Sequence, residues 1–120
     1  MLRRPRPLHR NAHVAVLAAS GPSGMDRINV AVRHLREYGL RVTLAENIGV
    51  RHRGYLAGTD EQRADELNRL FRDPTVDGFL FARGGYGAMR ILDLLDYDAL
   101  RANPRPLIGF SDVTALHQAI

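Results

Sequence analysis

The chain reads as an α/β domain, a parallel sheet flanked by helices. Two observations carry that expectation. Short, continuous apolar runs alternate with stretches whose apolar residues recur every three or four positions. Runs of the first kind suit strands covered on both faces, and stretches of the second kind suit surface helices. Strand–helix alternation of this sort builds a parallel sheet with helices against it.

The elements follow in order. His13 to Ala18 is an unbroken apolar run of strand length, and Ser20-Gly-Pro-Ser-Gly24 is a turn. From Asp26 to Tyr38 the residues Ile28, Ala31, Val32, Leu35 and Tyr38 form one stripe, and Gly39 suits a left-handed helix end. Leu40 to Leu44 is a second strand, followed by a loop from Asn47 to Gly58. Thr59 with Gln62 three residues on fits a capping box. Ala64, Leu67, Leu70 and Phe71 are the buried side of the helix it opens. Asp73-Pro74 ends that helix, since proline disfavours helical backbone in the residue before it. Val76 to Ala82 is a third strand, and Arg83-Gly-Gly-Tyr-Gly87 is a glycine-rich turn. Ala88, Ile91, Leu92 and Leu95 predict a third helix, Leu107 to Phe110 a fourth strand, and Asp112 to Ile120 a fourth helix. The strands are expected to end near Ala18, Leu44, Ala82 and Phe110.

Composition narrows the chemistry. The 120 residues suffice for one domain. All 17 basic residues are arginine, so no lysine is present to form a Schiff base or a P-loop contact. There is no cysteine, which excludes a thiol nucleophile and a cysteine zinc site. Arg3, Arg4, Arg6 and Arg10 account for the net charge of +4. Residues 1–11 therefore read as a basic flexible arm, and 12–120 as the folded body. No aromatic residue interleaves with those arginines, so no nucleic-acid partner is expected. No apolar stretch approaches membrane-spanning length. Val14 to Ala19 reads as a strand rather than a signal peptide, and the cytoplasm is the expected location. No His-x-x-x-His spacing is present, and neither a metal nor another cofactor is expected.

Working loops of a parallel sheet lie beyond the carboxyl ends of its strands. Ser111 follows the fourth apolar run and precedes a helical stretch. A serine at such a corner has its hydroxyl lifted clear of the sheet, as a nucleophile needs. Gly109 allows a sharp turn there. Asp112 would open the helix, with its carboxylate favoured by the dipole and its N–H a candidate oxyanion donor. Ser111 as a simple helix N-cap is the other local reading. The loop Arg83-Gly84-Gly85-Tyr86-Gly87 offers backbone N–H groups to an anion, and Arg83 can clamp a carboxylate at two points. Its glycines fall one position short of the dinucleotide fingerprint. A serine hydrolase also needs a base. His117 lies on the same helix but faces elsewhere, and none of His13, His34 and His52 forms a convincing pair with Ser111.

Several stretches together resemble the N-terminal domain of the LD-carboxypeptidase family, which includes muramoyl-tetrapeptide carboxypeptidase and self-immunity hydrolases for peptide–nucleotide antibiotics. They are Ser20-Gly-Pro, Gly54-Tyr-Leu-Ala-Gly58-Thr-Asp, Arg83-Gly-Gly-Tyr-Gly87 and Pro106-Leu-Ile-Gly-Phe-Ser-Asp-Val-Thr-Ala-Leu-His117. The resemblance implies a metal-free serine peptidase of the cytoplasm. Its substrates would be peptidoglycan-derived peptides, cut at the bond to a terminal D-amino acid. Ser111 matches the family nucleophile, and the backbone of Gly85 and Asp112 matches the oxyanion donors. From the glycine loop's own residues, Arg83 and Gly84 are the expected substrate contacts. The family's glutamate and histidine come from a C-terminal domain that these 120 residues lack, so the chain alone is expected to be inactive. A homodimer of the complete protein is among the expected assemblies, with no nucleic acid and no membrane as partner. Two other readings stand beside the enzyme. One is a non-catalytic domain that binds peptide or cell-wall fragments, and the other is a small phosphate- or nucleotide-binding α/β domain.

Overall fold

The computed structural model describes residues 3–120. Four strands form one parallel sheet in the order β2-β1-β3-β4. They are β1 (His13–Leu17), β2 (Arg41–Leu44), β3 (Gly78–Phe81) and β4 (Leu107–Ile108). In register, Val14 sits between Val42 and Gly78, and Phe79 lies beside Leu107. The helices are α1 (Met25–Glu37), α2 (Asp60–Phe71), α3 (Tyr97–Ala102) and α4 (Thr114–Ala119).

Residues along β1 alternate between two apolar clusters, as the two-residue period of a strand requires. Ala15, Leu17 and Ala19 join Leu67, Leu70, Phe71, Phe79, Ile91 and Leu116 on the face covered by α2 and α4. Val16 and Ala18 join Ile28 and Val32 under α1. Phe71 and Phe79 meet edge to face at 5.1 Å. Each helix end has its own device. The Thr59 side chain accepts from the Gln62 N–H, and the Gln62 side chain accepts from Thr59 N–H in return. At the end of α1, Gly39 adopts φ +86° while its N–H reaches Arg36 O, and Leu40 N–H reaches Leu35 O. These two bonds satisfy carbonyls that the last turn would otherwise leave open.

Two expectations need correction. The single helix expected after the glycine loop is instead a 3₁₀ segment, Ala88–Leu94, followed by the separate helix α3. Asp96 separates them, and its carboxylate caps α3 at the Ala99 N–H, 3.0 Å away. The last helix likewise starts as a 3₁₀ turn, Ser111–Val113, before α4 proper. Arg105 was silent in the sequence but is buried. It donates to carbonyl oxygens of Phe71, Asp73, Val76 and Asn103 and stacks 4.6 Å over the Phe79 ring. That ties the turn between α2 and β3 to the segment entering β4. Residues 1 and 2 of the expected basic arm lie outside the described residues; residues 3–11 run beneath this end of the sheet, where Arg6 and His9 line a hollow with Asp77 and Arg105. Leu8 packs where a side chain on Gly78 would otherwise sit, and Asn11 N–H donates to Gly39 O at 2.7 Å. No helix of the described residues is long and apolar enough to cross a membrane.

Candidate active site

All four strands point their carboxyl ends to one rim. The turn at Ser20, the glycine loop Arg83–Gly87 and the Ser111 corner lie there together. The corner is tight because Gly109 carries no side chain. A Cβ at Gly109 would come within 2.6 Å of Val113 Cγ1. Ser111 then adopts φ +59°, left-handed backbone that costs a residue with a side chain about 1–2 kcal/mol. A helix N-cap has extended backbone and accepts a bond from the following turn. Ser111 does neither, and its exposed hydroxyl makes no hydrogen bond among the described residues. Its conformation is that of the strained strand-to-helix corner and not of a cap.

The glycine loop packs against this corner. A Cβ on Gly84 would lie 2.9 Å from Ser111 Cβ, 3.0 Å from its Oγ and 3.2 Å from the Asp112 nitrogen. Only hydrogen fits there, so the loop backbone comes within contact of the serine. Gly85 follows with φ +114°. The N–H groups of Gly85 and Asp112 donate to no acceptor among the described residues. Arg83 is exposed, donates to Pro22 O at 3.1 Å, and lies with Nη2 near Gly85. The structure thus brings Ser111, Asp112, Gly84, Gly85 and Arg83 to one place.

Asp112 departs from one expectation. Its carboxylate does not serve the helix end it precedes. Oδ2 instead accepts from the Ser20 hydroxyl at 2.6 Å and from the Ala88 N–H at 3.0 Å. The glycine loop is also held at its start, where Gly21 N–H donates to Gly84 O at 3.1 Å.

Arg63 was missed altogether. It is fully buried beneath the loop. Its guanidinium donates to Ala19 O and Gly87 O, each at 2.8 Å, to Gly58 O at 3.3 Å, and to the Asp60 carboxylate. Three segments of the rim therefore converge on one cation. Burial pulls the Arg63 pKa below the usual arginine range, and Asp60 opposes that shift. The hydrogen bond from Arg90 does most to hold Asp60 below the ordinary carboxylate range. The sequence did carry a signal. Arg63 sits four residues before Leu67 and seven before Leu70, on the stripe that must be buried. Asn47 does similar work on the other side, donating to Ala18 O and Ala57 O.

No histidine reaches Ser111. His117 Nε2 pairs with Leu107 O at 3.2 Å. His13 bridges Thr43 and Thr75, and His34 faces Glu37. His9 pairs with the neighbouring Arg10 O, and His52 lies in the loop bridge to Leu56. Among the described residues no group of three or more histidines and carboxylates is placed to hold a metal ion.

Fold and corner together define the class, a parallel α/β domain with a strained serine turn packed against a glycine loop. The chain belongs to the LD-carboxypeptidase family, because residues 14–120 match the LD-carboxypeptidase N-terminal domain. A Streptomyces coelicolor protein provisionally named a carboxypeptidase is 47% identical over 119 residues, covering 97% of this chain and 38% of that protein. The murein tetrapeptide carboxypeptidase of Pseudomonas aeruginosa is 38% identical over 110 residues, covering 91% of this chain and 36% of its own length. Among solved structures, the microcin C7 self-immunity protein superposes with a TM-score of 0.87 at 31% identity, over 93% of this chain and 34% of the other. The chain thus spans a little over a third of the length of these relatives.

Proposed function

We propose that this domain carries the nucleophile of a serine LD-carboxypeptidase that acts on peptidoglycan-derived peptides during wall recycling in the cytoplasm. The observation that carries the reading is Ser111 itself. It is held at φ +59°, with its hydroxyl unbonded among the described residues and Gly84 pressed against it. The serine oxygen attacks the carbonyl carbon before the terminal D-residue, and its proton passes to a base. The C–N bond then breaks, the amine leaves protonated, and water hydrolyses the resulting ester. Gly85 and Asp112 N–H groups receive the negative oxygen, with expected distances of about 3 Å. Arg83 takes the substrate's terminal carboxylate. The base is a histidine, oriented by a glutamate, from a C-terminal domain outside these 120 residues. That assignment is supported by the structural bonds holding His13 and His117 and by the greater length of the relatives.

The test needs the complete carboxypeptidase containing this domain. A serine-directed phosphonate should label Ser111, and Ser111→Ala should abolish release of D-alanine from a tetrapeptide. Labelling of Ser20 or Ser23 instead, or full activity in Ser111→Ala, ends the proposal. The 120-residue chain alone should show no turnover, since a serine without its base is a weak nucleophile at neutral pH.

A further inference from the structure

We propose that the Asp112 carboxylate is a positioning residue, which fixes the glycine loop against the serine corner through Ser20 and Ala88. Only its catalytic consequence rests on the function proposed above. One oxygen, Oδ2, takes hydrogen bonds from two segments that are remote in sequence from each other and from Asp112. Ser20 is fully buried at the end of β1, and this is the only bond its hydroxyl makes among the described residues. Ala88 is fully buried where the glycine loop enters its 3₁₀ segment. The next residue after Ser20 pins the other end of the loop, through Gly21 N–H to Gly84 O.

These contacts close a circuit from Ser20 through Gly21, Gly84 and Ala88 to Asp112 and back to Ser20. Gly85 lies inside it, with an N–H that has no partner among the described residues and with Gly21 and the Arg83 guanidinium close against its backbone. The backbone of Asp112 meanwhile belongs to the serine corner, and its nitrogen would lie 3.2 Å from a Cβ on Gly84. A single residue thus sets one N–H directly and the loop bearing the other through its side chain. The 2.6 Å contact from Ser20 lies at the short end of the range for O–H···O hydrogen bonds. Groups that must meet a developing charge need such support, because small displacements are costly.

Amide hydrogen exchange by NMR on the 120-residue chain tests the clamp without calling on activity. In Asp112→Ala the Ala88 amide should exchange at least about tenfold faster, the loss expected when a buried donor is left without its acceptor. Ile28 and Val32 amides in α1, on the far face, should stay within about twofold because distant sites respond independently. Asp112→Asn keeps an acceptor oxygen and should restore most of the protection. Where Asp112→Ala fails to fold, Ser20→Ala removes one partner and should speed exchange at Gly21 and Ala88. In the complete carboxypeptidase, Asp112→Ala should lower kcat about 100-fold with KM nearly unchanged, the size seen when an oxyanion donor is lost. Asp112→Asn should recover most of that kcat. An unchanged Ala88 amide, a uniform rise across all amides, a parental kcat in Asp112→Ala, or no recovery in Asp112→Asn overturns the proposal. Failure of the functional reading looks different. Ser111→Ala would then stay active while the exchange pattern held.

Discussion

Replacing Arg63 with methionine should cost this domain a large part of its stability. Methionine fills comparable space but carries no donors. The variant strands the carbonyls of Ala19, Gly87 and Gly58, which the guanidinium holds at 2.8, 2.8 and 3.3 Å. Leaving one buried acceptor unpaired costs about 1–3 kcal/mol, and three carbonyls lose their donor here. These overlap, because water entering the rim rescues part of the loss and Asp60 keeps Arg90. We therefore expect about 3–5 kcal/mol, a large share of the roughly 5–15 kcal/mol that holds a domain together. With a urea slope of about 1–3 kcal/mol/M, the unfolding midpoint should fall by at least about 1 M. The assay is equilibrium urea unfolding followed by circular dichroism. Arg90→Gln is the control, since Arg90 is half exposed and should shift the midpoint far less. A midpoint for Arg63→Met within experimental error of the parent would falsify the argument, showing that the three carbonyls find partners without the cation.

Three further outcomes follow from the same geometry. Gly84→Ala puts a methyl 2.9 Å from Ser111 Cβ, so loop and corner must part, and the complete enzyme should lose at least about 100-fold in kcat while the domain still folds. Ser111→Gly should abolish activity yet stabilise the domain by about 1 kcal/mol, read as a higher thermal midpoint, because glycine adopts φ +59° without strain. Glu66 is held below the ordinary glutamate range, chiefly by the hydrogen bond from Arg69 and with help from Glu46 N–H. Its contribution is therefore fully present above the unfolded glutamate pKa of about 4.3 and is lost as pH falls through the lower folded value. Urea midpoints should drop on acidification, and Glu66→Gln should flatten that drop; an identical slope in the variant would show that Glu66 does not carry it.

The sequence by itself determined the layers and the loops. Continuous apolar runs and helical apolar stripes reflect burial, and burial is a property each segment displays locally. Hence β1, α1 and α2 with its capping box could be read directly, and so could the positions of the glycine loop and of the Ser111 turn. Boundaries governed by competition between helical forms could not be read. Leu92 and Leu95 continue an α-helical stripe, yet the backbone turns extended at Leu95 and Asp96 caps a new helix, so that stretch is a 3₁₀ segment and a separate helix. The site divides the same way. Residue types and a tight glycine marked Ser111, but cap and strained corner share one local sequence, and only the backbone φ separates them. The partners of the supports under the site were set by tertiary structure. Asp112 meets Ser20 across 92 positions, and Arg63 gathers carbonyls from three segments. A side chain's partner at such separation depends on the order β2-β1-β3-β4, which brings the strand ends to one rim. No local pattern encodes which carbonyl a buried arginine will find there.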